Sequence, residues 1–229
     1  MISRFKWYTV RLPCSVGEAL QKLEEGRYDP SQRTGFIVNA GERSFQFFWK
    51  TSIYATVIDS DGSSSREEIE SVCSQKIQVL GEEQIFFRLE EPPRSSKELL
   101  NALDKIIGFG FSCEQVVVTD ELIRNSIESF HSITLNTLKL SGAIRSIAAI
   151  ARVEIASKEG IDQESIKNFG LSQSLIEAGT YSVRYKGSSG QVGFTRTGMC
   201  KISGELTARI KASIESNLIN FKRCTFRQS

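Results

Sequence analysis

The 229-residue sequence has little of what metal sites and disulfide frameworks require. It contains one histidine, His131, and five cysteines that lie far apart, namely Cys14, Cys73, Cys113, Cys200 and Cys224. No two of them form a Cys-x-x-Cys pair, and an odd number of scattered thiols does not indicate a set of disulfides. We therefore expect no metal and no other cofactor, and the free thiols favour a reducing, cytoplasmic setting.

The sequence also lacks long apolar segments. No apolar run approaches the roughly 18 residues that a membrane-spanning helix needs. The first residues, MISRFKWYTVRLP, carry Arg4, Lys6 and Arg11 where a secretory signal would have its apolar core. We expect neither a signal peptide nor a membrane partner.

Catalytic signatures are missing as well. The serine-rich loop at 59–65 has no histidine nearby, so no nucleophile–base pair is indicated. Adjacent carboxylates such as Glu67 and Glu68 point to opposite faces when they lie on a strand, and therefore make a poor acid–base site. We assign no catalytic residue and expect a non-enzymatic protein.

Patterns in the first ninety residues predict an antiparallel sheet with one helix. Ser15-Val16-Gly17-Glu18 has the form of a capping box, and the helix that follows is expected to stop at Gly26. Runs at 34–40 and 44–50 predict a hairpin, 51–59 a further strand, and 77–80 with 84–89 a second hairpin. Pro92-Pro93 breaks the pattern. It is the predicted boundary between a β-rich region (1–91) and a mixed region (95–229), which together could form one compact domain.

The second region is expected to be more helical. The segment 95–98 predicts a capping box for a helix at 96–107, and Asp120 is expected to cap a helix that ends near Phe130. Residues 132–158 are interpreted as helix first and strand last, with short helices at 161–169 and 172–178. A hairpin at 181–197, turning at 187–190, and an amphipathic helix at 202–218 close the chain. The expected fold class is α+β, with an N-terminal antiparallel sheet and a more helical second half that ends in a β-hairpin and an amphipathic helix.

Charge is the most unevenly distributed property of the chain. The last fifty residues hold nine Lys or Arg against two Glu, whereas residues 51–108 hold six basic and eleven acidic residues. Such segregation steers a polyanion or an acidic partner toward one end. Clustered cations suit phosphates, and the interleaved Tyr181, Tyr185 and Phe194 offer stacking surfaces for unpaired bases. The cations predicted to make the contact are Arg184, Lys186, Arg196, Arg209, Lys211, Lys222 and Arg223.

Arg124-Asn125, followed by the lone His131, resembles the R-x(4–6)-H pattern of HEPN ribonucleases. The resemblance covers only these residues. It implies a site in which the histidine is the general base and the arginine stabilises the transition state. A separation of seven residues is almost two turns, so a continuous helix would place both side chains on one face.

The sequence favours a non-enzymatic binding or assembly component of a larger complex. Its basic C-terminal surface is expected to contact nucleic acid or an acidic protein surface. A ribonuclease centred on Arg124 and His131 is the first alternative, and a protein-docking subunit without nucleic-acid contact is the second.

Overall fold

The computed structural model describes residues 1–144, 149–162 and 172–225. The chain forms two compact units, an N-terminal unit of Tyr8–Glu114 and a C-terminal unit of Met1–Trp7 with Gln115–Ser229. Pro92-Pro93 lies within the N-terminal unit, and the division into 1–91 and 95–229 stays a prediction. None of the described helices is both long and apolar enough to cross a bilayer.

The N-terminal unit is a sheet with two helices. Strand β1 enters both units, with residues 2–7 in the C-terminal unit and 8–11 in this one. The strand order in this unit is β2-β3-β4-β5-β1. Its elements are β1 (Ile2–Arg11), α1 (Val16–Glu25), β2 (Thr34–Asn39), a 3₁₀ turn (Ala40–Glu42), β3 (Ser44–Ile58), β4 (Ser64–Leu80), β5 (Ile85–Glu90), α2 (Lys97–Ile107) and β6 (Ser112–Gln115).

The core of this unit follows from strand alternation. Phe45 and Phe47, two apart on β3, point inward and meet Phe36 of β2 at ring-centroid distances of 6.0 and 5.1 Å. Leu23 of α1 and Leu103 of α2 join the same core. Both predicted hairpins are confirmed, and 51–59 is mostly a continuation of β3 rather than a separate strand.

The two helices of the N-terminal unit begin differently. The capping box of α1 is confirmed, because Glu18 N donates to Ser15 Oγ (3.2 Å) while Ser15 N donates to the Glu18 carboxylate (2.8 Å). The capping box predicted for α2 is wrong. Ser96 is the N-cap residue and makes no side-chain capping bond; its hydroxyl instead accepts a hydrogen bond from Tyr8 (3.1 Å).

The C-terminal unit is also built on a sheet, in which the strand order is β1-β11-β10-β9-β7-β8. The pairs that these neighbouring strands form are antiparallel. The elements after β6 are α3 (Asp120–Ile127), β7 (Ser132–Ile144), β8 (Ala149–Ala156), β9 (Ser172–Tyr185), β10 (Ser188–Thr195), β11 (Cys200–Gly204) and α4 (Thr207–Thr225).

The expectation of a more helical second half is wrong. The described residues are 51% strand and 23% helix, because 132–144 is strand β7 and 172–178 opens strand β9. In β7 the buried Leu138 and Leu140 alternate with exposed Lys139, and pairing with β8 and β9 satisfies the backbone on both sides. The interpretation of 149–156 as strand is confirmed, and most of 161–169 lies outside the described residues.

The start of the last helix also differs from the prediction. Ile202 belongs to β11, where it pairs with Val192 of β10 and Ser3 of β1, and α4 begins only at Thr207.

Helix α3 is capped by Thr119, whose hydroxyl accepts from Leu122 N (3.1 Å), rather than by Asp120 as predicted. The two helices are joined through Ser126 of α3, whose hydroxyl accepts from Asn217 of α4 (3.1 Å) and whose carbonyl accepts from Ser213.

Gly190 lies where the start of α4 and the residues just before it pack tightly on the sheet. A Cβ placed there would lie 3.0 Å from Leu206 Cβ, 3.1 Å from Ile210 Cδ1 and 3.2 Å from the Ser203 carbonyl oxygen. These neighbours are anchored, so the extra methyl group would have to push the helix away.

We predict that Gly190→Ala lowers the free energy of unfolding by about 1–3 kcal/mol through overpacking, as measured by chemical denaturation. Gly193→Ala on the same strand is the matched control, because its new Cβ would meet Thr180 Oγ1 only at the ordinary distance of 3.4 Å. Equal stability losses in the two variants would contradict the close packing of α4 on β10.

Candidate nucleic-acid interface

The hairpin between β9 and β10 closes in a tight two-residue turn. Tyr185 pairs with Ser188, so Lys186 and Gly187 are the two central residues. A type I′ turn requires a positive φ at both central residues, and their φ angles are +48° and +86°. Glycine adopts a positive φ without strain. The predicted hairpin is confirmed, although its turn is shorter than the four residues expected.

Aromatic and cationic side chains gather around this turn. The guanidinium carbon of Arg209, on α4, lies 3.7 Å from the ring centroid of Tyr185. The His131 ring stacks on Tyr185 with centroids 4.9 Å apart and planes at 9°. Phe130 meets Tyr185 edge-on at 5.8 Å, and Lys186 Nζ lies 5.5 Å from the Tyr185 centroid. We call these residues, together with Arg184, the turn cluster.

Backbone hydrogen bonds hold His131 at the end of β9. His131 N donates to the Arg184 carbonyl (3.0 Å), and Lys186 N donates to His131 Nδ1 (3.3 Å). Because Nδ1 accepts, this network assigns the ring proton to Nε2. His131 is thus held by one hydrogen bond from its backbone and one to its ring. Its Nε2–H can donate to another partner.

The turn cluster borders an open cleft of about 570 Å³, lined by His131, Ser132, Arg184, Tyr185, Lys186, Gly187 and Ser189. Arg184, Lys186 and Arg209 are exposed. Within the described part of the chain, none of the three forms an ion pair with a carboxylate. Their charges therefore remain available to an anion, next to rings that offer flat stacking surfaces.

The structure describes the side chains of five of the seven predicted cations and brings three of them together. Arg196 lies beyond Thr195, at the far end of the hairpin from Lys186. The eight-residue strand β10 between them spans about 26 Å. Lys211 lies 5.7 Å from the Phe5 ring of β1, three strands from β9. Lys222 and Arg223 fall in the last turns of α4, where the side chains are outside the described residues.

Arg124 and His131 do not share a helix face. Helix α3 ends at Ile127, so His131 lies beyond it and the seven-residue spacing no longer aligns the two side chains. Arg124 Nη1 lies 3.9 Å from Asp120 Oδ2. The Asp120 carboxylate also accepts a hydrogen bond from the Tyr181 hydroxyl (2.5 Å). Arg124 lines a separate cleft of about 440 Å³ with Asn125, Glu128 and Tyr181.

Two thiols, the half-buried Cys113 and the enclosed Cys200, are poorly suited to nucleophilic chemistry. Burial, together with the nearby Glu114 carboxylate, raises the pKa of Cys113 to about 12. Burial also raises the pKa of Cys200, which is completely enclosed. No cluster of three or more His, Cys, Asp or Glu side chains suited to a metal occurs among the residues that the structure describes.

We expect these two thiols to resist alkylation in the folded protein at pH 8, because the reactive thiolate is scarce when the pKa lies far above the pH. Cys14 and Cys73 are partly exposed and should react with iodoacetamide much faster, as followed by mass spectrometry of peptides. Denaturation should abolish the difference. Labelling of Cys200 at the rate of Cys14 in the folded protein would contradict its enclosure.

Comparison with known proteins gives no family for this chain. No protein-family model matches it, and no curated protein matches it. The turn cluster is therefore the observation on which a proposed function rests.

Proposed function

We propose that the C-terminal unit binds single-stranded nucleic acid at the turn cluster, as a non-enzymatic component of a larger assembly. The observation that carries the proposal is the stack of Arg209, Tyr185 and His131 beside the exposed cations Arg184 and Lys186. Flat rings next to unneutralised positive charges are the two features that a single strand requires.

The stack supports base binding because it ends in an exposed ring. His131 is exposed, and Tyr185 is the ring that stacks on it within the described residues. An unpaired base can extend this column by stacking on the imidazole, a contact worth about 1–3 kcal/mol per base. Arg209 stabilises the other members through its cation–π contact with Tyr185, a role that lysine would fill less well because guanidinium is planar.

The cations support phosphate binding by their position. Arg184 and Lys186 line the same cleft as His131, so a strand whose base stacks on the imidazole has its phosphates near two positive charges. Such contacts release condensed counterions and make affinity depend on salt. They do not discriminate between bases, so the proposed binding is tolerant of sequence.

We predict that Arg184→Gln with Lys186→Asn weakens binding to a fluorescent oligonucleotide and flattens its salt dependence. Each lost phosphate contact on a single strand should reduce the log–log slope by about 0.7, hence by about 1.4 for both. Asparagine is chosen at 186 because it tolerates the left-handed backbone of the turn. Fluorescence anisotropy at several salt concentrations, with oligonucleotides of unrelated sequence, measures both effects.

The matched control is Arg196→Gln with Lys201→Gln, which removes the same charge from exposed positions at the other end of the β9–β10–β11 strands. It should change the affinity and the slope far less. Equal losses in the two variants would mean that net charge, not the turn cluster, determines binding. Absence of binding to DNA and RNA at low salt would instead favour an acidic protein surface as the partner.

The ribonuclease alternative has its own test. We expect the purified protein not to cleave RNA, because Arg124 and His131 line different clefts. His131→Ala should weaken nucleic-acid binding by removing the exposed ring of the stack, whereas Arg124→Ala should leave binding nearly unchanged. Gel assays of labelled RNA decide the question, since reproducible cleavage that both substitutions abolish would establish a nuclease.

A further inference from the structure

Strand β8 has an open edge as far as the described residues show. It is the last strand in the order of the C-terminal unit and pairs with β7. No other described strand pairs with it on its far side. The outer edge of β2, by contrast, is covered by the chain at 26–28, where Tyr28 N donates to the Phe36 carbonyl and Phe36 N to the Gly26 carbonyl. An edge eight residues long that no described strand covers, and that has no proline or glycine, is a template for pairing with another strand.

The hydrogen-bond phase of β8 shows which backbone groups face this open edge. Ser157 N, just after the strand, donates to the Asn136 carbonyl. The register with β7 continues without a shift to Ala149. Because backbone N–H groups alternate in direction along a strand, those of Val153 and Ile155 point toward β7, like that of Ser157. The open edge is therefore formed by the backbone of Ile150, Arg152, Glu154 and Ala156.

The same four residues expose their side chains on one face. Ile150 is 77% exposed, an unusual degree for a large apolar residue. Glu154 forms an ion pair with Lys139 of β7 (2.9 Å). Arg152 lies opposite Ser141 and has no carboxylate partner among the described residues.

We propose that β8 pairs antiparallel with β8 of a second copy of this chain, about a two-fold axis at Val153. In this register Arg152 of each copy lies directly opposite Glu154 of the other, and Ile150 lies opposite Ala156. The contact is isologous, so both ion pairs form at once. The positive charge of Arg152 and the negative charge of Glu154 thus match when two copies of β8 run in opposite directions.

Charge selects this register over its neighbours. Only registers that place outward-facing residues opposite one another can form the new ladder. A shift of the pairing by two residues in one direction places Arg152 opposite Arg152, and in the other direction Glu154 opposite Glu154. Like charges directly opposite are destabilising. In the proposed register, a row of alternating charge runs from Lys139 through Glu154 to Arg152 of the second copy.

The test is a pair of charge reversals followed by sedimentation velocity over a range of protein concentrations. Wild-type protein should show a concentration-dependent dimer. Arg152→Glu places two carboxylates opposite each other at both contacts and should be monomeric. Glu154→Arg, made together with Lys139→Glu so that the ion pair within each copy is kept with its sign reversed, should also be monomeric.

An equimolar mixture of the two variants should dimerise again, because every contact between unlike copies is then attractive. Circular dichroism and thermal melting verify that each variant is folded. If a variant fails to fold, hydrogen exchange in the wild type gives the same answer. The outward amides of Arg152 and Glu154 should exchange slowly at high protein concentration and fast at low concentration.

A wild-type protein that stays monomeric at high concentration would overturn the proposal. A dimer that Arg152→Glu leaves intact, or a mixture that does not reassociate, would also overturn it, since the contact would then lie elsewhere. The proposal is independent of nucleic-acid binding, because sedimentation is measured without nucleic acid.

Discussion

The pairing of β9 with β7 is the constraint on which the candidate site depends. Ser132 of β7 is in register with Arg184 of β9, so the residue before β7, His131, is carried to the hairpin turn. Strand alternation then turns Tyr181 and Val183 into the core and leaves Arg184 exposed. Arg209 approaches the same turn because α4 packs tightly over Gly190. Three segments distant in sequence meet at the turn for these reasons.

Local signals in the sequence were sufficient wherever a structure is stabilised locally. The capping box at Ser15 and Glu18 and the short hairpins need only neighbouring residues, and they formed as predicted. Residues 132–144 and 172–178 could not be predicted in this way. The spacing of their apolar residues fits both the helical and the strand period. The pairing of β7 with β9, which lie about forty residues apart in the sequence, decides in favour of strand. The capping box at 95–98 did not form because α2 begins one residue later, with Ser96 as its N-cap, and the Ser95 hydroxyl accepts from Lys97 N (3.3 Å) instead of from Glu98 N.

The candidate site was predictable in part for the same reason. Arg184 and Lys186 are two residues apart at one turn, so the sequence alone indicated that they act together. Arg196 lies only ten residues beyond Lys186 in the sequence, but the full length of strand β10 separates the two in space. His131 was considered only as a partner of Arg124, because nothing in the sequence shows which strand end lies beside it. The cations were thus identified by composition, whereas the stacked rings required the register.

The proposed nucleic-acid binding and the proposed self-association concern different parts of one sheet. The turn cluster lies where β9 and β10 are joined, so the backbone there is closed by the chain itself. Strand β8 is the last described strand of this sheet, and no described strand pairs with its outward backbone groups, which need a hydrogen-bond partner. Pairing through β8 would place two turn clusters in one particle. A nucleic-acid strand long enough to reach both turn clusters would then bind the second cluster intramolecularly, at a raised effective concentration. Because each cluster offers few cations and one exposed ring, such doubling would strengthen the proposed contact, which is weak and tolerant of sequence.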